Sequence, residues 1–187
     1  MKKVIFTALL LGLGLTLAEG VDDARVLKAI ETGGPKFAAA MKQDPSERLC
    51  SLYPSGLPAD QVSAFVAAEK KKVKYPEKLM GDWKKGRMVF TTPSKGNCYA
   101  CHAGEPAEPA FGDVGPPLTN FGLRGVGNAM IKYTYEKIFD SWITVPCSTM
   151  PRYGVNARLT PEEIADLVAY LLSPESPLNP AVKGGGQ

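Results

Sequence analysis

Asn97-Cys98-Tyr99-Ala100-Cys101-His102 is the stretch on which the reading of this chain turns. Two thiols three positions apart, followed at once by an imidazole, match the c-type haem attachment pattern, in which the cysteines reach the two vinyl groups and the histidine meets the iron. A Cys-x-x-Cys pair has two other common uses, a thioredoxin-like redox couple and half of a zinc site. Neither suits this chain. No βαβ pattern surrounds the motif, and His102 is the single histidine of the sequence, so a zinc site needing two imidazoles cannot be assembled. The same count allows one covalent haem and rules out bis-His ligation within the chain.

A proximal histidine needs its second ring nitrogen held, because that hydrogen bond fixes the tautomer and the ring orientation. Downstream, Gly115-Pro116-Pro117-Leu118 resembles the Gly-Pro-x-Leu loop of class I cytochromes c. The resemblance implies that the Pro116 carbonyl accepts the histidine bond and that Leu118 packs on the haem; the alternative is an ordinary proline-rich turn. A methionine sulfur is the expected sixth ligand, since His/Met ligation raises the potential of a cytochrome c. Met41 lies in an N-terminal extension. Met80 and Met88 fall on a helix before the motif and are expected to be flexible packing residues. Met130 and Met150 are left. Met150 sits in Pro146-Cys147-Ser148-Thr149-Met150-Pro151, where the prolines hold the chain extended or turned, and such a strap can present sulfur to iron. Metal ligation is therefore assigned to His102 and Met150, with Met130 and the Cys147 thiolate as alternatives.

The segments between these loops read as helices. After Pro76, residues 77–90 place Leu79, Trp83, Gly86 and Phe90 on one stripe. A glycine within a helix costs up to about 1 kcal/mol against alanine, so Gly86 is expected to let another helix approach closely. The natural partner is the C-terminal helix. Its start is marked by Thr160 as N-cap, Pro161 at the first position and Glu163 closing a capping box; Ile164, Leu167, Val168 and Leu171 form its stripe, and Ser173-Pro174 ends it. Tyr135, Ile138, Phe139 and Trp142 outline a third helix. The expected fold is all-α, a class I cytochrome c-like helical domain around one covalent haem. Its core covers about residues 77–173, within a domain of 76–187 preceded by an extension of 19–75 with helices near 21–31 and 60–74. The run Lys70-Lys71-Lys72-Val73-Lys74 is read as a solvated helix end, the alternative being a docking patch.

Residues 1–18 pair Lys2 and Lys3 with an apolar run from Val4 to Leu17, the pattern of a secretory signal peptide. Cleavage after Ala18 is expected to leave Glu19 first, and with no cysteine there a lipid anchor is not expected. No later stretch approaches the roughly 20 apolar residues of a spanning helix, so the mature chain is expected in the periplasm without stable membrane insertion. The formal charge is +3, partly from the two leader lysines, and a nearly neutral mature chain gives no reason to expect nucleic acid as a partner. Cys50 and Cys147 are the two thiols outside the haem motif. An even count in an exported protein favours pairing; two separate buried thiols are the alternative.

Taken together, the haem motif, Gly115-Pro116-Pro117-Leu118 and the strap Pro146-Cys147-Ser148-Thr149-Met150-Pro151-Arg152-Tyr153-Gly154 resemble the SoxX family, the monohaem subunits of the SoxAX sulfur-oxidation cytochromes. The Cys-x-x-Met strap discriminates; the other two motifs mark only the superfamily. The resemblance implies a heterodimer with a SoxA-like c-type cytochrome, which acts as L-cysteine S-thiosulfotransferase and joins thiosulfate oxidatively to a cysteine of a SoxYZ-like carrier. This chain would be its electron-accepting subunit, with no catalytic residues of its own, passing electrons to a soluble acceptor cytochrome. The other reading is a free-standing mobile electron carrier.

Overall fold

In the computed structural model, which describes residues 23–183, all regular structure is helical. The chain divides into two compact units, residues 1–44 and 45–187. The described part of the first consists of α1 (Asp23–Thr32) and α2 (Gly34–Ala40). The second begins with α3 (Pro45–Leu52) and α4 (Ala59–Lys70), continues through α5 (Trp83–Thr91), α6 (Asn128–Phe139) and α7 (Pro161–Leu172), and closes with the short α8 (Pro180–Lys183). The proposed leader at 1–18 lies outside the described residues. No described helix is long and apolar enough to cross a membrane.

The centre of the second unit is α7, whose buried residues run almost without a break from Ile164 to Leu172. Its capping box is formed in both directions: the Glu163 amide donates to Thr160 Oγ1 at 3.2 Å and the Thr160 amide to Glu163 Oε2 at 3.0 Å. These bonds satisfy amides that have no partner inside the helix. At the other end the fully buried Asn179 acts as a clamp. Its Nδ2 donates to the carbonyls of Leu171 and Ser173 at 3.0 and 2.9 Å, and its Oδ1 accepts from the Gly122 amide at 2.8 Å.

α5 crosses α7 at Gly86, as expected from the sequence. A methyl at Gly86 would overlap the Asp166 carbonyl and lie 2.9 Å from Tyr170 Cβ. Around this contact Phe90, Tyr135, Ile138, Phe139, Ile164, Leu167, Val168 and Leu178 form the core.

Several details depart from the sequence reading, beginning with α2 and α3, two helices of the extension that it does not anticipate, and with α4, which ends at Lys70 rather than at residue 74. α5 starts at Trp83 rather than at residue 77, because Asp82 accepts from the amides of Lys84 and Lys85 at 2.7 and 3.3 Å and so caps the helix; Leu79 still packs on the core from the preceding loop. Met88 is not a packing residue, since it is 61% exposed on the outer face of α5. α6 ends at Phe139, and Trp142 belongs to a separate 3-10 turn, Ser141–Ile143, initiated by Asp140 accepting from the Trp142 amide at 3.1 Å.

Candidate functional site

The haem motif forms one 3-10 turn, Cys98–Ala100, entered through Asn97 in the left-handed region at φ 48°. The turn brings the His102 amide to the Cys98 carbonyl at 2.9 Å. The following loop then folds back over it: the amides of Gly112, Gly115 and Leu118 donate to the carbonyls of Tyr99, Cys101 and Ala103 at 2.8, 2.7 and 2.8 Å. This return places the Pro116 carbonyl 2.7 Å from His102 Nδ1. A carbonyl can only accept, so the proton sits on Nδ1 and Nε2 keeps the lone pair that an iron needs. Gly115 is required at this approach, because a Cβ there would clash with the imidazole ring at His102 Cε1.

Burial, with the neighbouring Cys101 adding to it, pushes the Cys98 thiol up to about 12. A catalytic redox cysteine shows the opposite, a thiolate favoured near neutral pH. Cys98, Leu118, Met130 and Met150 are all half-buried against the same core cluster. The donor set fits haem c: two thiols at the two ends of one turn, an imidazole with its tautomer set, and thioether sulfur on the same apolar core. Met130 lies in the first turn of α6, and Met150 lies in an irregular strap.

That strap is held from several sides. Ser141 Oγ donates to the Met150 carbonyl at 2.6 Å, the Met150 amide donates to Ser148 Oγ at 3.2 Å, and Trp142 Nε1 donates to the Ser148 carbonyl at 2.8 Å. Cys147 is bonded to Cys50 of α3 across 97 residues of chain, with the Cα atoms 5.4 Å apart. The thiolate alternative for the sixth ligand is thereby removed. Cys147 itself stands at φ 59°, a conformation that L side chains seldom adopt.

Sequence reasoning missed the charged cluster under the strap. Arg152, Glu69 and Asp140 are each 2% exposed or less. Burial opposes ionisation of Glu69, but hydrogen bonds from Asp140, Lys72 and Ser46 and the Arg152 charge hold its carboxyl below the usual value. Burial, reinforced by Glu69, pushes Asp140 up to about 6. Of the basic run 70–74, Lys72 is not merely solvated, since it bonds Glu69 at 2.7 Å and Ser46 at 3.1 Å. Nothing periodic in the sequence marks these residues; Arg152 is visible there only as part of the strap motif.

A second network supports the haem turn. Tyr99 Oη accepts from the Glu105 amide at 3.0 Å, Tyr170 Oη donates to Glu105 Oε1 at 2.7 Å, and Arg87 grips the same carboxylate through Nε and Nη2 at 2.6 and 3.1 Å. The Arg87 bond, opposed by burial and aided by Tyr170, holds Glu105 below its ordinary 4.5. A depressed carboxylate contributes stability that is present above its unfolded value and lost as pH falls through the folded one. The thermal midpoint of Glu105→Gln is therefore expected to lie below that of the parent near neutral pH, with the gap closing below about pH 4.5. Melting both proteins across that range measures it, and a gap independent of pH would discount the ionised carboxylate.

The chain is similar to known proteins over most of its length. The family model described as cytochrome c oxidase, cbb3-type, subunit III matches residues 81–171. An uncharacterized lipoprotein of Aquifex aeolicus is 38% identical over 211 residues, covering 96% of this chain and all of the relative. Among solved structures, a chain of SoxXA from P. pantotrophus aligns with a TM-score of 0.43 and 23% identity, over 54% of this chain and 83% of that one. The relationship to the Aquifex lipoprotein spans nearly the full length, so this chain belongs to that protein's family, and the cytochrome match spans the haem motif, its proximal loop and the methionine strap, marking residues 81–171 as a cytochrome c domain, which implies haem binding and electron transfer.

Proposed function

We propose that this chain is the monohaem, electron-accepting subunit of a SoxAX-like complex, carrying one haem covalently on Cys98 and Cys101 with His102 and Met150 as axial ligands. Pro116 holds the His102 tautomer, and Leu118 packs beside the ring. Bound haem supplies a one-electron couple. The protein's part is to orient the imidazole, to position sulfur, and to exclude water with the helices of the core. With His102 and Met150 both bound to it, the iron would offer no position for substrate. The chain's role is outer-sphere electron transfer within L-cysteine S-thiosulfotransferase, receiving electrons released when thiosulfate is coupled to a carrier cysteine and handing them to an acceptor cytochrome.

The observation that carries this reading is the Cys-x-x-Met strap whose cysteine is tethered to the extension, because it sets this chain apart from a minimal shuttle cytochrome. The disulfide also favours an exported protein, and a relative named as a lipoprotein points the same way, in keeping with a leader at 1–18 and the periplasm.

Isolating the tagged chain from its host tests the proposal. Co-purification with a second c-type cytochrome, together with haem reduction by thiosulfate that requires a carrier protein, is expected. A lone methionine-ligated monomer inert to thiosulfate would replace this reading with a free-standing electron carrier.

A further inference from the structure

The buried charges beneath the strap need a reason. Taking ions out of water is costly, and replacing a buried ion pair with apolar residues is often neutral or stabilising, so such a cluster is weak support for overall stability; its best-attested use is to fix one arrangement over others. Arg152 follows Met150 by two residues. Its Nη2 donates to Glu69 Oε2 at 2.6 Å, its Nη1 lies 3.7 Å from Glu47, its Nε lies 3.4 Å from Asp140, and its guanidinium sits 4.2 Å over the Trp142 ring. Trp142 in turn bonds the Ser148 carbonyl, and Ser141 bonds the Met150 carbonyl. Both flanks of Met150 on the strap are thus tied to α3, α4 or the 140–142 turn.

From this geometry we infer that Arg152 and Glu69 are positioning residues for the sixth iron ligand, and that the segment from α3 to α4 serves as the clamp of the methionine strap. A planar guanidinium gripped by several carboxylates and stacked on an aromatic ring has little rotational freedom. Two residues of backbone transmit that constraint to Met150. The inference rests on the reading of Met150 as the iron ligand.

The test uses the full-length holoprotein and external imidazole, which takes the sixth position when methionine leaves it. Glu69→Gln is expected to bind imidazole about 10–100-fold more tightly than the parent, the range typical of lost outer-shell support, and to weaken the methionine–iron charge-transfer band. The double variant E69M/R152M removes both charges together and avoids an uncompensated Arg152. It is expected to stay folded and to show the same gain in imidazole affinity, and it decides the matter if Glu69→Gln does not fold. Ile164→Val, in α7 and apart from the strap, lowers global stability and should leave imidazole affinity unchanged.

Parental imidazole affinity in the charge variants, or an equal gain in Ile164→Val, overturns the clamp. Failure of the underlying reading looks different: Met150→Ala would then keep the charge-transfer band and the parental affinity.

Discussion

Met150→Ala is expected to abolish the methionine–iron charge-transfer band, open the iron to small ligands such as cyanide or carbon monoxide, and lower its reduction potential. The strap geometry motivates this: Met150 is half-buried against the core that also carries Cys98 and Leu118, and its amide and carbonyl are both fixed by serine side chains. Thioether sulfur favours the reduced iron, and choice of axial ligand is the dominant control over a span of about 0.8 V among haem proteins. Met130→Ala separates the two candidates. It should keep the band, because Met130 is carried on a helix and its carbonyl is engaged with Thr134. Loss of the band in Met130→Ala and its survival in Met150→Ala would transfer the ligand to α6.

The double replacement Cys50→Ser with Cys147→Ser is expected to destabilise the protein by about 2–5 kcal/mol, as removal of native disulfides commonly does. The bridged cysteines are 97 residues apart, and for a closed loop of about 100 residues the chain-entropy model gives about 4.7 kcal/mol. The loop includes the haem motif, so opening it releases much of the unfolded chain from constraint. Denaturant unfolding of the oxidised parent and the double variant, followed by far-UV circular dichroism, gives the difference. A change below about 0.5 kcal/mol, the scatter of ordinary surface substitutions, would show that the surrounding hydrogen bonds already hold α3 against the strap. The variant also releases position 147 of the strap from its tether, and the charge-transfer band should persist if Arg152 and Ser141 still hold Met150.

Much of the site is legible in the sequence because its signals are local. The spacing of Cys98, Cys101 and His102 constrains one turn of chain, Thr160 and Glu163 speak for a single helix start, and the turn back to Pro116 closes a loop of 14 residues. Gly86 marks a helix crossing in the sequence itself, because a glycine that weakens an amphipathic helix is offset when its bare backbone lets a neighbouring helix pack closely. The start of α5 is misplaced by the same kind of local pattern: the apolar stripe extends back to Leu79, which packs on the core without being helical, while the helix begins only after its N-cap, Asp82.

By itself, then, the sequence carried the all-helical fold, a single haem-attachment motif at residues 98–102, the loop that turns back to its histidine and the capped C-terminal helix, since periodicity, caps and motif spacing act over a few residues. Only the tertiary structure decided that Cys50 meets Cys147, that Glu69 reaches Arg152 across 83 positions, and that the stretch from Pro45 forms one compact unit with the rest of the cytochrome. The physical reason is that a buried charge or a bridged cysteine has the same local sequence as an exposed one. Its role is defined by what the fold places opposite it.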